Sequence, residues 1–177
     1  MEFSYIVKIP KERIAVLVGE KGKTKKKIEK AFEIKIIVDS REGDVALEGD
    51  DGINLMGEQN VVKEIGRGFN PDYAIDLSNE DKYLEIIDIT EYSRNSKKNL
   101  IRLRSRAIGT GGKARTTIER LTDTHISVYG KTISIIGSYE DVALARRAFE
   151  SILNGSRHST VYAMLEKKKK SRVQHNL

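Results

Sequence analysis

Two short glycine loops carry the residues best suited to holding a charged ligand. Each loop has the pattern Gly-x-x-Gly, at Gly19–Gly22 and at Gly109–Gly112, and a lysine follows each loop directly, at Lys23 and Lys113. Glycine has no Cβ, so main-chain N–H groups at these positions can approach a phosphate closely. A helix that begins just after the loop would add the positive end of its dipole. The two loops therefore predict contact with a phosphate backbone.

Both loops lie in basic segments of a chain whose charge is unevenly distributed. The 177 residues include 32 Lys and Arg against 26 Asp and Glu, a net charge of +6. Residues 20–30 carry a net charge of +4 and residues 93–131 carry +8, whereas residues 39–91 carry −11. A basic balance favours an acidic partner, nucleic acid first. Solvated helix faces would explain one basic run, but two runs that each adjoin a glycine loop favour a binding role.

The composition excludes several other kinds of site. The chain has no Cys, and its three His are far apart in sequence, so we expect no disulfide, no metal site and no cofactor. Neither loop fits a nucleotide-binding P-loop, because Leu17 and Ala107 stand where its first glycine belongs. No spacing singles out a catalytic pair of carboxylates, so we expect a protein that is not an enzyme.

The sequence also lacks the usual signals of membrane insertion or export. No apolar run approaches the 18 residues that a membrane span needs. Residues 1–5 lack the basic and then apolar pattern of a signal peptide. We therefore expect a soluble, cytoplasmic protein with no membrane partner.

An internal repeat relates the two halves of the chain. At an offset of 90 residues the first loop falls on the second, Ile28 falls on Ile118, and Glu29 falls on Glu119. After these positions the second half is two residues shorter than the first, and with that allowance the later apolar positions also align. The repeat predicts two copies of one small domain, followed by a C-terminal helix and a basic tail. The predicted limits are residues 1–80, 81–155 and 156–177.

Both copies have the same predicted order of elements, βααββα, because apolar residues recur in each with strand or helix periodicity. The first copy has strand Phe3–Ile9, helices Arg13–Val18 and Lys23–Phe32, strands Ile34–Val38 and Val45–Gly49, and helix Asn54–Gly68. The second has strand Tyr83–Ile89, helices Lys97–Ile108 and Lys113–Thr122, strands Ile126–Tyr129 and Thr132–Ile136, and helix Glu140–Leu153. Helices are also predicted in Pro71–Ser78, between the copies, and in Thr160–Lys170. The expected fold class is α+β, with a three-stranded antiparallel sheet packed on helices in each copy. Each copy is near the lower size limit for a stable core, so we expect the two to pack together.

The glycine loops and their surroundings resemble a known family of domains. Val18–Lys23 and Ile108–Lys113 resemble type I KH domains, in which a Gly-x-x-Gly loop between two helices binds RNA. More narrowly, Tyr83–Asp88, Ile118–Thr122 and Ile126–Thr132 resemble the archaeal partner-of-Nob-one family. The resemblance covers nearly the whole chain. It implies a tandem pair of type I KH domains.

The resemblance also implies a function, because that family consists of double-KH assembly factors of the small ribosomal subunit. It implies binding to single-stranded RNA at the 3′-terminal region of small-subunit (16S) rRNA, and assistance in the maturation of that end. It further implies partnership with the Nob-one-type endonuclease that matures the same end. Other late small-subunit assembly factors or translation initiation factors would be further partners.

A KH domain places four nucleotides across its surface, with phosphates on the glycine loop and bases toward an apolar groove and the second strand. The candidates for the groove floor, each of which also fits a plain core role, are Ile14, Val18, Ile36, Ile108 and Ile126. Base specificity would come from main-chain groups of the second strand and from neighbours such as Lys35 and His125. The predicted RNA-binding residues of the first copy are Gly19, Glu20, Lys21, Gly22, Lys23, Lys25, Lys26 and Ile36. Those of the second copy are Arg102, Arg104, Arg106, Ile108, Gly109, Thr110, Gly111, Gly112, Lys113, Arg115, Thr116, His125 and Ile126.

The two copies depart from the general KH pattern and from each other. Lys25 and Arg115 stand where KH domains usually have an apolar residue, which adds charge that could face a phosphate. Glu20 is unfavourable in the first loop, whereas the second loop has no acid, and Arg102 and Arg106 share a helix face just before it. We therefore expect the second domain to bind RNA more tightly. The first would be a weaker RNA site or a protein-docking module.

Other interpretations stay open at this point. The acidic segment 39–91 could recruit proteins, which would make the chain an interaction scaffold or a generic RNA-binding adaptor in which RNA binding is secondary. A subunit of an RNA-processing enzyme is a third possibility, although no catalytic constellation supports it. Lys167–Lys170 fits either an RNA contact or a solvated tail.

Overall fold

The structure is a computed structural model that describes residues 3–175, and it divides the chain into the units Met1–Glu80 and Asp81–Leu177. Each unit has the order βααββα with a three-stranded antiparallel sheet, which confirms the predicted α+β fold class. The C-terminal helix belongs to the second unit. A domain limit after residue 155 remains a prediction.

The first unit follows the predicted order, with small shifts where local capping sets the ends. Helix 11–18 begins two residues early because the Pro10 carbonyl oxygen already accepts the Arg13 N–H at 2.8 Å. Helix 52–66 begins early because the Asp51 side chain caps it, accepting the N–H groups of Ile53 and Asn54. The elements are β1 Phe3–Lys8, α1 Lys11–Val18, α2 Lys23–Phe32, β2 Lys35–Asp39, β3 Asp44–Gly49, α3 Gly52–Gly66 and α4 Pro71–Ile75.

The sheet of the first unit has the order β1-β3-β2, which leaves β2 at an edge beside α2. Val7 pairs with Val45 and Ile36 with Leu47, so alternate residues of all three strands point to the same side. Helix α3 packs against β1, β3 and α1. The buried core formed in this way includes Val7, Leu17, Ile28, Ile36, Val45, Leu47, Leu55, Val62 and Ile65.

The second unit repeats the arrangement, with sheet order β4-β6-β5 and β5 at an edge. Its hairpin turn has two residues where the first unit has four, which accounts for the shortening of the repeat. Its elements are β4 Tyr83–Asp88, α5 Lys97–Ile108, α6 Lys113–Thr122, β5 His125–Tyr129, β6 Thr132–Gly137, α7 Tyr139–Leu153 and α8 His158–His175.

Helix α8 is longer than predicted and packs against α6 and α7. Val161 and Leu165 lie one turn apart on its buried face, at 2% and 0% exposure. Near its C-terminus, Lys169 donates to the carbonyl oxygen of Arg120 at 2.8 Å, and Arg172 pairs with Asp141. The lysine run therefore lies within a helix, and Lys169 helps to hold that helix on α6.

Glu58 of the first unit has a buried carboxyl group without a full set of partners. Glu58 on α3 is 4% exposed, and its Oε2 has no hydrogen-bond partner among the described residues. Burial, with a smaller contribution from the Asp51 carboxylate, raises the pKa of Glu58 from 4.5 to about 7. The folded chain therefore binds more protons than the unfolded chain between these two values, so stability falls as the pH rises through this window.

We expect Glu58→Gln to raise the thermal midpoint at pH 8 by roughly a few degrees and to change it little at pH 5. The amide keeps the shape of the side chain but cannot ionise, so it removes the cost of a buried charge that exists only at the higher pH. Calorimetry at the two pH values measures the effect. Glu33→Gln, at an exposed position, is the control, and an equal gain at both pH values for Glu58→Gln would contradict the assignment.

Candidate nucleic-acid interface

The two glycine loops have nearly the same backbone conformation. The first glycine has φ 72° and ψ 175° at Gly19, and φ 75° and ψ 171° at Gly109. The second glycine is left-handed, with φ 77° at Gly22 and φ 79° at Gly112, and it directly precedes a helix. The repeat seen in the sequence therefore extends to the geometry of the loop.

The two glycines of a loop are required for different reasons. A Cβ on Gly109 would lie 2.6 Å from the backbone nitrogen of Ala114, and a Cβ on Gly19 would lie 2.2 Å from Thr24 Oγ1. A Cβ on Gly112 would meet nothing within 4 Å, although its φ of +79° still disfavours other residues. The first glycine thus lets the loop pack on the following helix. The second gives a left-handed turn that faces open space, where a ligand can approach.

Positive charge lies at the open end of each following helix. Lys23 and Lys113 are the first residues of α2 and α6, both are exposed, and neither forms an ion pair among residues 3–175. Exposed Glu20 occupies the first loop where the second has Thr110. The second loop therefore offers a helix dipole and a lysine to an anion without a competing carboxylate.

A carboxylate closes the edge strand of each sheet. Glu29 accepts the N–H of Ile36 at 2.9 Å, and Glu119 accepts the N–H of Ile126 at 2.8 Å. The side chains of Ile36 and Ile126 lie in the core, at 1% and 3% exposure, so RNA could contact these two residues only through their main chain. A base that used those N–H groups would first have to displace the carboxylate.

The basic residues that depart from the KH pattern hold these carboxylates in place. Lys25 pairs with Glu29 at 3.3 Å, and Arg115 pairs with Glu119 at 3.0 Å, each one helical turn apart. Arg115 also donates to the carbonyl oxygen of Ile126 at 3.3 Å. The two side chains therefore organise the strand edge as well as adding positive charge near the loop.

The structure brings some of the other predicted residues together and separates others. Arg102, Arg106, Gly109, Thr110 and Lys113 line one pocket beside the second loop. Other predicted residues have separate positions. Arg104 donates to the carbonyl oxygen of Gly130 at 3.3 Å, Thr116 donates to that of Gly112 at 3.0 Å, and Lys35 pairs with Glu48 at 3.2 Å. Lys26 is exposed, and His125 is half-buried. Of the apolar candidates, Ile14 is buried, and Val18 and Ile108, which directly precede the loops, are half-buried.

Sequence reasoning missed two groups of residues in this region. Glu29 and Glu119 were aligned by the repeat, and the basic residue four positions before each was the available signal for their pairing. His158 and Tyr162 of α8 also line the pocket beside the second loop. No sequence signal indicated that contact, because about fifty residues separate His158 from the loop.

Residues 3–175 contain neither a candidate membrane span nor a candidate metal site. No helix there combines the length and apolar character needed to cross a bilayer. The same residues hold no group of three or more His, Asp or Glu side chains placed to bind a metal ion.

Comparison with known proteins identifies both units as KH domains. Residues 83–170 match the family described as "Eukaryotic type KH-domain (KH-domain type I)", and residues 4–66 match the family described as "KH domain". The KH domain-containing protein MJ0443 of Methanocaldococcus jannaschii is 41% identical over 168 residues, covering 93% of this chain and 73% of that protein. The RNA-binding protein pno1 of Drosophila pseudoobscura pseudoobscura is 33% identical, and the match covers 77% of this chain but 55% of its own length.

A solved structure with the same fold gives a more specific relationship. The structure of an a/eIF2alpha–aDim2p–rRNA complex from Pyrococcus horikoshii OT3 matches with a TM-score of 0.85 and 42% identity, covering 96% of each chain. Free Dim2p from the same organism matches with a TM-score of 0.83 and 43% identity, covering 93% of this chain and 99% of that one. With both KH units matched and relatives of this similarity along its length, the chain belongs to the archaeal partner-of-Nob-one (PNO1/Dim2) family of double KH-domain proteins.

Proposed function

We propose that this protein binds single-stranded RNA and acts in biogenesis of the small ribosomal subunit, at the 3′-terminal region of 16S rRNA. The observation that carries the proposal is the second glycine loop. There an open left-handed glycine, the start of α6 and unpaired Lys113 meet without a carboxylate. The related aDim2p forms a complex with rRNA, and its chain is 42% identical to this one.

We assign the stronger RNA contact to the second unit. The second loop has Thr110 where the first has Glu20, and a carboxylate beside a phosphate opposes binding. The RNA backbone crosses the second loop, and the bases lie toward the β5 edge, where Arg115 and Glu119 present donors and an acceptor side by side. The first unit contributes a weaker RNA site or a protein contact.

In this proposal the protein works in the cytoplasm with a Nob-one-type endonuclease and assists that enzyme in maturing the rRNA 3′ end. The chain itself does no cleavage in this proposal. Support comes from the family to which the chain belongs and from the absence of any motif for bond cleavage in the sequence. A relative's complex includes a/eIF2alpha, so initiation factors are a further class of partner to test.

The test is an anisotropy titration against the 3′-terminal 16S rRNA sequence and a shuffled version, at low and physiological salt. We expect a preference of at least about ten-fold, or about 1.4 kcal/mol, that persists at physiological salt. Contacts to the RNA backbone alone would give equal affinities for the two RNAs. The logarithm of the affinity would then fall with the logarithm of the salt concentration, with a slope of about −0.7 per phosphate neutralised. Equal, salt-labile binding would contradict the specific role and leave a generic RNA binder. The same RNAs incubated with Mg²⁺ or Mn²⁺ should stay intact.

A further inference from the structure

The start of helix α8 is tied to the helix that leads into the second loop. Arg106 Nη2 donates to the carbonyl oxygen of Ser156 at 2.6 Å, and His158 Nε2 donates to the carbonyl oxygen of Arg106 at 2.8 Å. These two bonds fix the chain between α7 and α8 against the C-terminal end of α5. They place the first turns of α8 beside the glycine loop.

A pocket of about 530 Å³ lies between this part of α8 and the loop. That volume is in the range of sites for small organic ligands. Its walls include Gly109, Thr110 and Lys113 from the loop side, Arg102 from α5, and His158 and Tyr162 from α8. No Asp or Glu is among the described residues that line it. The pocket is therefore suited to a ligand that carries negative charge.

The pocket is separate from the edge of strand β5. On helix α6, Arg115 faces β5 through its contact with the Ile126 carbonyl, whereas Ala114 lines the pocket. Tyr162 of α8 also lines the pocket, and burial raises the pKa of its hydroxyl. The helix thus separates two surfaces that share the same glycine loop. An RNA strand on the loop can reach either of them.

Two aromatic side chains, His158 and Tyr162, form part of the pocket wall. The rings of His158 and Tyr162 have centroids 6.1 Å apart and are tilted by 50°. Tyr162 is half-buried, with part of its ring facing the pocket. Stacking of a nucleobase on such a ring does not depend on the identity of the base, since every base has a π-face.

We propose that this pocket binds the base of a nucleotide that flanks the four nucleotides of the KH groove in the same RNA strand. Tyr162 is the stacking platform, and Arg102 and Lys113 contact the phosphate. RNA is the expected occupant for two reasons. Gly109, Thr110 and Lys113 belong to both the loop and the pocket, so a strand bound to the loop continues into the pocket, and the charged residues of the lining are all basic. This inference rests on the proposed RNA-binding function.

The first unit differs on the corresponding face of α2. The segment after α3 folds into the short helix α4, whose Asp72 pairs with Lys27 of α2 at 2.6 Å. The acidic side chain of Asp72 therefore contacts α2 on the face where, in the second unit, the aromatic residues of α8 lie beside α6. We therefore place the flanking-nucleotide site in the second unit.

The test measures affinity for RNAs of four to eight nucleotides from the 16S rRNA 3′ end, extended stepwise on either side. For the wild-type chain, adding the flanking nucleotide on one side should tighten binding about ten-fold. Tyr162→Leu should lose that gain and keep the affinity for the shortest RNA, whereas Tyr162→Phe should keep both. Thermal midpoints establish that each variant is folded.

The outcomes separate this inference from the proposed function. Failure of every RNA to bind wild type would overturn the proposed function and the pocket with it. Binding that gains nothing from extension, or gains equally in Tyr162→Leu, would overturn the pocket alone. An RNA with an abasic flanking nucleotide separates stacking from charge: a gain that survives loss of the base would show that only the phosphate is bound and contradict the stacking role of Tyr162.

Discussion

Aspartate at both Thr110 and Gly111 should lower the affinity for the rRNA oligonucleotide at least about a hundred-fold, or about 2.7 kcal/mol. The second loop offers main-chain N–H groups and the positive end of α6 to a phosphate. Two carboxylates at its tip would repel that phosphate. The wild-type loop contains no acidic residue, so the substitution introduces this repulsion for the first time. Anisotropy at physiological salt measures the loss.

The structure indicates that this variant will fold. Lys21 occupies the position equivalent to Gly111 with φ 51° and ψ 29°, close to the φ 60° and ψ 24° of Gly111. A Cβ on Gly111 meets nothing within 4 Å. Gly111→Lys is therefore the matched control, because it imposes the same backbone requirement with the opposite charge, and it should bind at least as tightly as wild type.

The first loop provides a comparison within the same chain. Glu20→Asp with Lys21→Asp should reduce affinity much less, since that loop already carries an acid and is assigned the weaker contact. If the second-loop variant kept its thermal midpoint and bound RNA as wild type does, the phosphate would lie elsewhere. Equal losses from both loops would instead contradict the assignment of the stronger site to the second unit.

Gly109→Ala should destabilise the second unit by about 3 kcal/mol, a large effect for one methyl group. The new Cβ would lie 2.6 Å from the backbone nitrogen of Ala114 and 2.7 Å from its Cβ, and the φ of +75° disfavours alanine even without that contact. The obstructing atoms belong to the first turn of α6, so relief requires movement of the helix. Urea unfolding followed by circular dichroism measures the change.

Gly112→Ala is the matched control for that substitution. Its φ is +79°, but a Cβ there meets nothing within 4 Å, so only the left-handed backbone opposes it, at about 1 kcal/mol. We expect this variant to fold with a modest loss of stability. If the two substitutions cost the same, the close contact of Gly109 with α6 would not explain the requirement for the first glycine.

The sequence was most informative where structure depends on neighbouring residues. Helices Lys23–Phe32, Lys97–Ile108 and Lys113–Thr122 have the predicted limits, because a glycine lies directly before or after each of them. The βααββα order followed from alternating apolar residues and from the repeat. Where a side chain caps an element, as Asp51 does for α3, the predicted start was late by two residues.

Contacts across the fold could not be predicted in the same way. The bond from Ile36 N–H to Glu29 requires that α2 lie along the edge of β2, which depends on how both elements pack on the core. The contact of His158 with Arg106 joins residues 52 apart, and no periodicity indicates which loop a C-terminal helix will reach. The glycine loops were therefore predictable, and the side chains around them were not.

The helix carboxylates that accept hydrogen bonds from the edge strands affect how the protein behaves at high concentration. An unpaired strand edge invites a strand from another molecule to extend the sheet, which is a common route to aggregation. Glu29 and Glu119 already occupy the N–H groups of Ile36 and Ile126, so an incoming strand finds those donors taken and a negative charge beside them. The edge nearest each glycine loop can thus stay exposed to solvent without recruiting a second copy of the chain.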